Sequence, residues 1–116
     1  MFFCIYMLAT YYHILKELIA IPSISSQGGH VDDHEKIALY LNAMLQDNGF
    51  VSEIIHGYGN PVVLGACSLD KSLPTMLLYG HYDVQSADEP GKWTHDPFAL
   101  YVGKEKIYGR GVADNK

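Results

Sequence analysis

Leu77-Leu78-Tyr79-Gly80-His81-Tyr82-Asp83 is an apolar run that stops at a glycine and then sets a histidine and a carboxylate two residues apart. Side chains at i and i+2 of an extended chain point to one face, roughly 7 Å apart along the strand. With Thr75 and Met76 before it, the run shows no polar alternation, which predicts a strand buried on both faces near the middle of a sheet. Open α/β folds place their sites at the C-terminal ends of such strands. His81 is therefore a candidate metal ligand, and Asp83 a carboxylate that holds its ring from behind. The alternative reading makes both of them loop residues that follow a core strand.

The end of the sequence, Tyr108-Gly109-Arg110-Gly111-Val112-Ala113-Asp114-Asn115-Lys116, is a glycine-punctuated turn ending on a second isolated carboxylate. Between the two stretches lies a polar loop, 84–97, in which Trp93 either lines a cleft or anchors the loop. His95 is expected at the surface.

Working back toward the start, the chain reads as helix, helix, then five short strands. Leu8, Tyr11, Tyr12, Leu15, Leu18 and Ile19 form one stripe at helical spacing, and Ile21-Pro22 ends that helix. His30-Val31-Asp32-Asp33-His34-Glu35 is dense in ligand-type residues. Even so, Asp32 followed three residues later by Glu35 reads better as a capping box that opens a second helix. That helix runs to a left-handed stop at Gly49. Segments 50–55 and 62–67, joined by Gly57-Tyr58-Gly59-Asn60-Pro61, predict an antiparallel hairpin, with His56 at its surface. Segments 98–102 and 107–108 predict another, across Gly103-Lys104-Glu105-Lys106.

The 116 residues suffice for one small domain. Apolar residues make up 48% and charged residues 18%, the formal net charge is −5, and no Lys/Arg cluster occurs, so neither nucleic acid nor an anionic membrane is expected as a partner. Cys4 and Cys67 form no CxxC pair and are expected as small buried hydrophobes in a reducing compartment. The apolar start, residues 1–8, has no positive region before it and is too short to span a bilayer. A soluble cytoplasmic protein is the expectation.

Gly80-His81-Tyr82-Asp83-Val84-Gln85, Trp93, Asp96-Pro97-Phe98 and Gly109-Arg110-Gly111 with Asp114-Asn115-Lys116 together resemble the front half of the co-catalytic zinc peptidases and deacylases. That family includes glutamate carboxypeptidase, carnosine dipeptidase, aminoacylase and acetylornithine deacetylase, and the residues after His81 most resemble its nonspecific dipeptidase branch. The resemblance implies a mixed α/β fold. All of residues 1–116 would form an incomplete N-terminal portion of a three-layer catalytic domain, truncated before the family's dimerisation domain.

It also implies a metal-dependent hydrolase acting on dipeptides or small peptides, with two zinc ions per complete site (Mn2+ or Co2+ being possible substitutes). His81 would be a ligand of one zinc, Asp114 the bridging carboxylate, and Asp83 the catalytic-site acid that orients and polarises His81. Asp114-Asn115 falls where the family has a non-proline cis bond. Full-length members are often homodimers. The general-base glutamate and the remaining ligands would lie beyond Lys116, so the isolated chain is expected to be inactive. The related zinc aminopeptidases share a His-x-Asp strand end, but the Gly-Arg-Gly before Asp114 and the Lys after it favour the dipeptidase type. An N-acyl amino acid deacylase and a non-catalytic α/β interaction module are the other readings.

Overall fold

A computed structural model describes residues 2–89 and 91–116, and side chains from residue 7 onward. The order is α1 (Phe2–Ile19), α2 (Val31–Asp47), β1 (Val51–Ile55), β2 (Val62–Ala66), β3 (Tyr101–Val102) and β4 (Ile107–Tyr108). No helix among the described residues is long and apolar enough to cross a membrane.

The C-terminal half of α1 enters the core through Leu15, Leu18 and Ile19, while Leu8 and Tyr11 of the expected stripe remain about half exposed. Periodicity marks a face that can be buried, and among the described residues of the stripe Leu15, Leu18 and Ile19 are the buried ones. Past Pro22 the chain folds back on itself, with Ile24 N donating to Pro22 O at 2.7 Å.

The helix α2 starts one residue before Asp32, so the expected capping box does not form. The N-cap is His30, and no side chain caps the helix. Asp32 and Asp33 sit in the first turn, where the helix dipole favours acids. Asp33 pairs with His30 at 2.8 Å, and Glu35 reaches His56 at 3.3 Å. The helix ends as expected at Gly49, with φ +83°.

Ile37 and Ala38 of α2 are fully buried, and Ile37 joins Leu18 and Ile21 at the centre of the core. The β1–β2 hairpin is antiparallel, with Val51 opposite Ala66 and Ile55 opposite Val62. Gly65 admits α2 onto it, because a Cβ there would stand 2.9 Å from Leu45 Cδ1. The second expected hairpin forms as the short pair β3–β4, with Tyr101 opposite Tyr108.

Two further expectations fail. Residues 75–79 form no ladder, and Met76, Leu77, Leu78 and Tyr79 are each at least 80% exposed. A strand apolar on both faces needs a neighbour on each side and cover above and below, and none of the described residues supplies them. The four strands therefore make two separate two-stranded ladders. Cys67 is exposed rather than buried, because it follows the last residue of β2 into an uncovered loop. The side chain of Cys4 lies outside the described residues.

Ile37→Ala should lower the unfolding free energy by about 2–5 kcal/mol. Leu39→Ala, on the exposed side of the same helix, should stay within about 0.5 kcal/mol. Urea titration of both variants followed by circular dichroism checks the difference. The uncovered apolar run predicts self-association: light scattering should show oligomers of the chain that Leu78→Lys shifts toward monomer.

Candidate metal centre

The site is built by two strips of chain, neither of which is a strand of a ladder. The first is 81–84. Val84 N donates to Ser23 O at 2.9 Å, Ser25 N donates to Val84 O at 3.1 Å, and Ile24 and Val84 form a parallel bridge. Ser23 Oγ donates to Tyr82 O at 2.7 Å, and the Tyr82 hydroxyl donates to Pro61 O. Tyr82 packs against the core cluster and Val84 is 3% exposed. Because the strip is extended, the alternate side chains, His81 and Asp83, fall on the other face.

There the carboxylate of Asp83 is used at both oxygens. Ser25 Oγ donates to Oδ2 at 2.6 Å, and Oδ1 lies 3.2 Å from His81 Nδ1. The same ring nitrogen is 3.1 Å from Asp83 O. Nδ1 thus carries a proton toward Asp83, and Nε2 is the edge of the ring turned away from it.

The second strip is 109–116. Arg110 N donates to Pro97 O at 2.6 Å, and Lys116 N donates to Gly111 O at 2.9 Å, closing a turn. Gly111 adopts φ +97°, and a Cβ there would sit 2.9 Å from Lys116 Cγ and 3.0 Å from Val84 Cγ1, so the two strips touch through it. The turn presents Asp114 Oδ1 3.1 Å from His81 Nε2, and the Asp114–Asn115 peptide is cis. His81, Asp83, Gly111 and Asp114 line a cleft of about 260 Å³.

The Asp114 carboxylate, as hydrogen-bond partner of the ring, raises the His81 pKa above the ordinary imidazole value. Desolvation opposes this and Asp83 adds to it. The Ser25 hydroxyl, above all, holds the Asp83 carboxyl below the usual carboxylate range. Burial pushes the Lys116 ammonium down to about 8. Nε2 of His81 and Oδ1 of Asp114 are a nitrogen and an oxygen donor facing one spot, with the tautomer set from behind. That donor set suits a divalent cation such as zinc. Among the described residues no group of three or more His, Cys, Asp or Glu closes on an ion.

The other histidines lie elsewhere. His34 is buried with Nε2 3.2 Å from Ile24 O. His95 is exposed and stacks on Tyr101 at 3.9 Å. Trp93 anchors the loop, since its ring lies 4.9 Å under the Arg110 guanidinium, whose Nη2 donates to Ser86 O at 2.8 Å. Sequence reasoning missed Ser23 and Ser25. Both stood in what read as plain loop, with partners some sixty residues away.

The profile of peptidase family M20/M25/M40 matches residues 77–116, the strip that carries His81, Asp83 and Asp114. Over 92% of its length the chain superposes on human carnosine dipeptidase 1 with a TM-score of 0.83 and 30% identity, covering 25% of that protein. Along most of its length the chain is similar to M20/M25/M40 peptidases. It is 38% identical over 88% of its length to a cysteinylglycine-S-conjugate dipeptidase of Corynebacterium striatum, and 36% identical over 94% to an acetylornithine deacetylase of Erwinia tasmaniensis. It spans about a quarter of the length of these family members. The mixed α/β fold expected of the sequence is the fold of these peptidases.

NMR titration of the metal-free chain should place the His81 midpoint above the ordinary imidazole value, and Asp114→Asn should bring it down. A raised folded-state pKa means that the His81–Asp114 contact stabilises the chain fully below the ordinary imidazole pKa and loses that effect as pH rises through the raised one. Ser25→Ala should move the Asp83 midpoint up toward the usual carboxylate value.

Proposed function

We propose that this chain supplies part of the active site of a metal-dependent dipeptidase. One observation carries the reading: His81 Nε2 and Asp114 Oδ1, 33 residues apart in sequence, meet at 3.1 Å with Asp83 behind the ring. In this reading His81 would hold a zinc ion through Nε2 and Asp114 would hold zinc through its carboxylate. Bound there, the zinc pair supplies Lewis-acid polarisation of the scissile carbonyl and a water that ionises near neutral pH.

The rest of the work belongs to the chain. Asp83 accepts the Nδ1 proton, keeps the ring in the tautomer whose Nε2 lone pair is free, and makes that lone pair more basic. Ser25 holds Asp83 ionised and in register. The protonated His81–Asp114 contact has to give up its proton for a cation to enter, so metal uptake strengthens as pH rises through the His81 pKa.

Two donors hold a metal weakly. The 116-residue chain is therefore expected to bind zinc loosely and to hydrolyse nothing until the remaining ligands and a general base are supplied. Its substrate class is the dipeptide, as the names of the cysteinylglycine and carnosine dipeptidases suggest. The similarity to acetylornithine deacetylase over 94% of the chain favours a second reading, hydrolysis of an N-acyl amino acid by the same constellation. The exposed, free thiol of Cys67 supports a reducing, cytoplasmic setting.

In a polypeptide of the relatives' full length that carries this segment, His81→Ala and Asp114→Ala should each abolish turnover of cysteinylglycine and strip tightly bound zinc. Asp83→Asn should keep most of the metal and lose about 10–100-fold in rate. Activity assays paired with elemental analysis check this, and unchanged turnover in a variant removes that residue from the site. Firm binding of two zinc ions by the 116-residue chain alone would overturn the expectation of loose binding.

A further inference from the structure

Asp114 is 86% exposed, and His81 is its side-chain partner among the described residues. What places its carboxyl is therefore the turn it stands on, and that turn is fastened to the end of α1. Lys116 Nζ donates to Leu18 O at 2.8 Å and also to Ile21 O. Leu18 O belongs to the last turn of α1 and Ile21 O lies just past it; each also accepts a backbone N–H, from Ile21 and Ser23, and the ammonium adds a second donor where the negative end of the helix dipole favours a cation. The stem of Lys116 lies across Gly111, and its backbone N–H closes the turn on Gly111 O. A second point of attachment is Gly109, which lies against α1 closely enough that a Cβ there would be 3.1 Å from Ile19 Cγ2.

We propose that Lys116 is a positioning residue for the metal site: by tying the 111–116 turn to the C-terminal carbonyls of α1, it holds Asp114 Oδ1 against His81 Nε2 before any cation arrives. The inference rests on the reading of His81 and Asp114 as ligands. Its physical content is preorganisation. A carboxylate on an untethered turn has to be ordered when the ion binds, and that cost is subtracted from affinity. The ammonium acts at a distance from the ion through the backbone of Asn115, and α1, which carries neither His81 nor Asp114, becomes part of the frame of the site.

The test is calorimetric zinc titration of the 116-residue chain and its variants, alongside thermal unfolding and metal-free NMR. Lys116→Met keeps the apolar stem and removes the donors. It should weaken zinc binding about tenfold and erase the nuclear Overhauser contacts between the His81 ring and the Asp114–Asn115 segment. Lys116→Arg, which still donates to the carbonyls, should restore both. Ile37→Val, a core change that lowers the melting point without touching the turn, should leave zinc affinity unaltered, which separates positioning from general stability. If Lys116→Met fails to fold, Lys116→Gln takes its place, with a smaller loss expected. Wild-type affinity in Lys116→Met or Lys116→Gln, with His81→Ala and Asp114→Ala both impaired, overturns the positioning role alone. Wild-type affinity in His81→Ala and Asp114→Ala overturns the ligand reading beneath it.

Discussion

The backbone exchange between residues 23–25 and 82–84 is the constraint on which the rest of the site depends. Val84 N to Ser23 O and Ser25 N to Val84 O lock two distant strips in parallel register. Once that register is set, period-two alternation turns Tyr82 and Val84 into the core and leaves His81 and Asp83 together outside. A slip of one residue would bury the polar pair and expose the apolar one. The two serines add side-chain bonds to the same strip, one to the carbonyl of Tyr82 and one to the carboxylate of Asp83. A loop that looks featureless thus does the work that a neighbouring strand would do in a sheet.

The end of α1 plays a matching part for the second strip. Met7, Leu8 and Tyr11 earlier in the helix are about half exposed, while Leu15, Leu18 and Ile19 toward its C-terminal end are buried. Gly109 and Lys116 both rest there. The ring of His81 and the carboxyl of Asp114 are therefore brought together by one framework reached from two directions, through the 22–25 turn and through the last turn of the helix. The carboxylate of Asp114 then favours the imidazolium form of His81.

Several features were legible before any coordinates. The two helices, the β1–β2 and β3–β4 hairpins and the left-handed stop at Gly49 follow from periodicity and turn chemistry, which act over a few residues. The His-x-Asp spacing also anticipated that His81 and Asp83 share one face of an extended strip. Other expectations misfired because the deciding partner was not local. Asp32 and Glu35 have the spacing of a capping box, but the helix begins at Val31 and the two acids serve elsewhere. Residues 75–79 have the composition of a central strand, but a strand is made by its neighbours, and the described residues provide none. Cys67 reads as buried by residue type, yet nothing covers the end of β2.

The sequence by itself determined the kinds of element present and marked His81, Asp83 and Asp114 as candidates, because spacing along an extended chain and glycine at a turn are written residue by residue. Only the tertiary structure decided that Nε2 of His81 faces Asp114 while Nδ1 faces Asp83, that Ser25 supports the carboxylate, and that Lys116 reaches the carbonyls of α1. Apart from the His81–Asp83 pair, those contacts join residues 33 to 98 positions apart. No local pattern encodes them, since they arise when hydrophobic burial of Leu18, Ile21 and Ile37 draws the helices together and carries the polar strips with them.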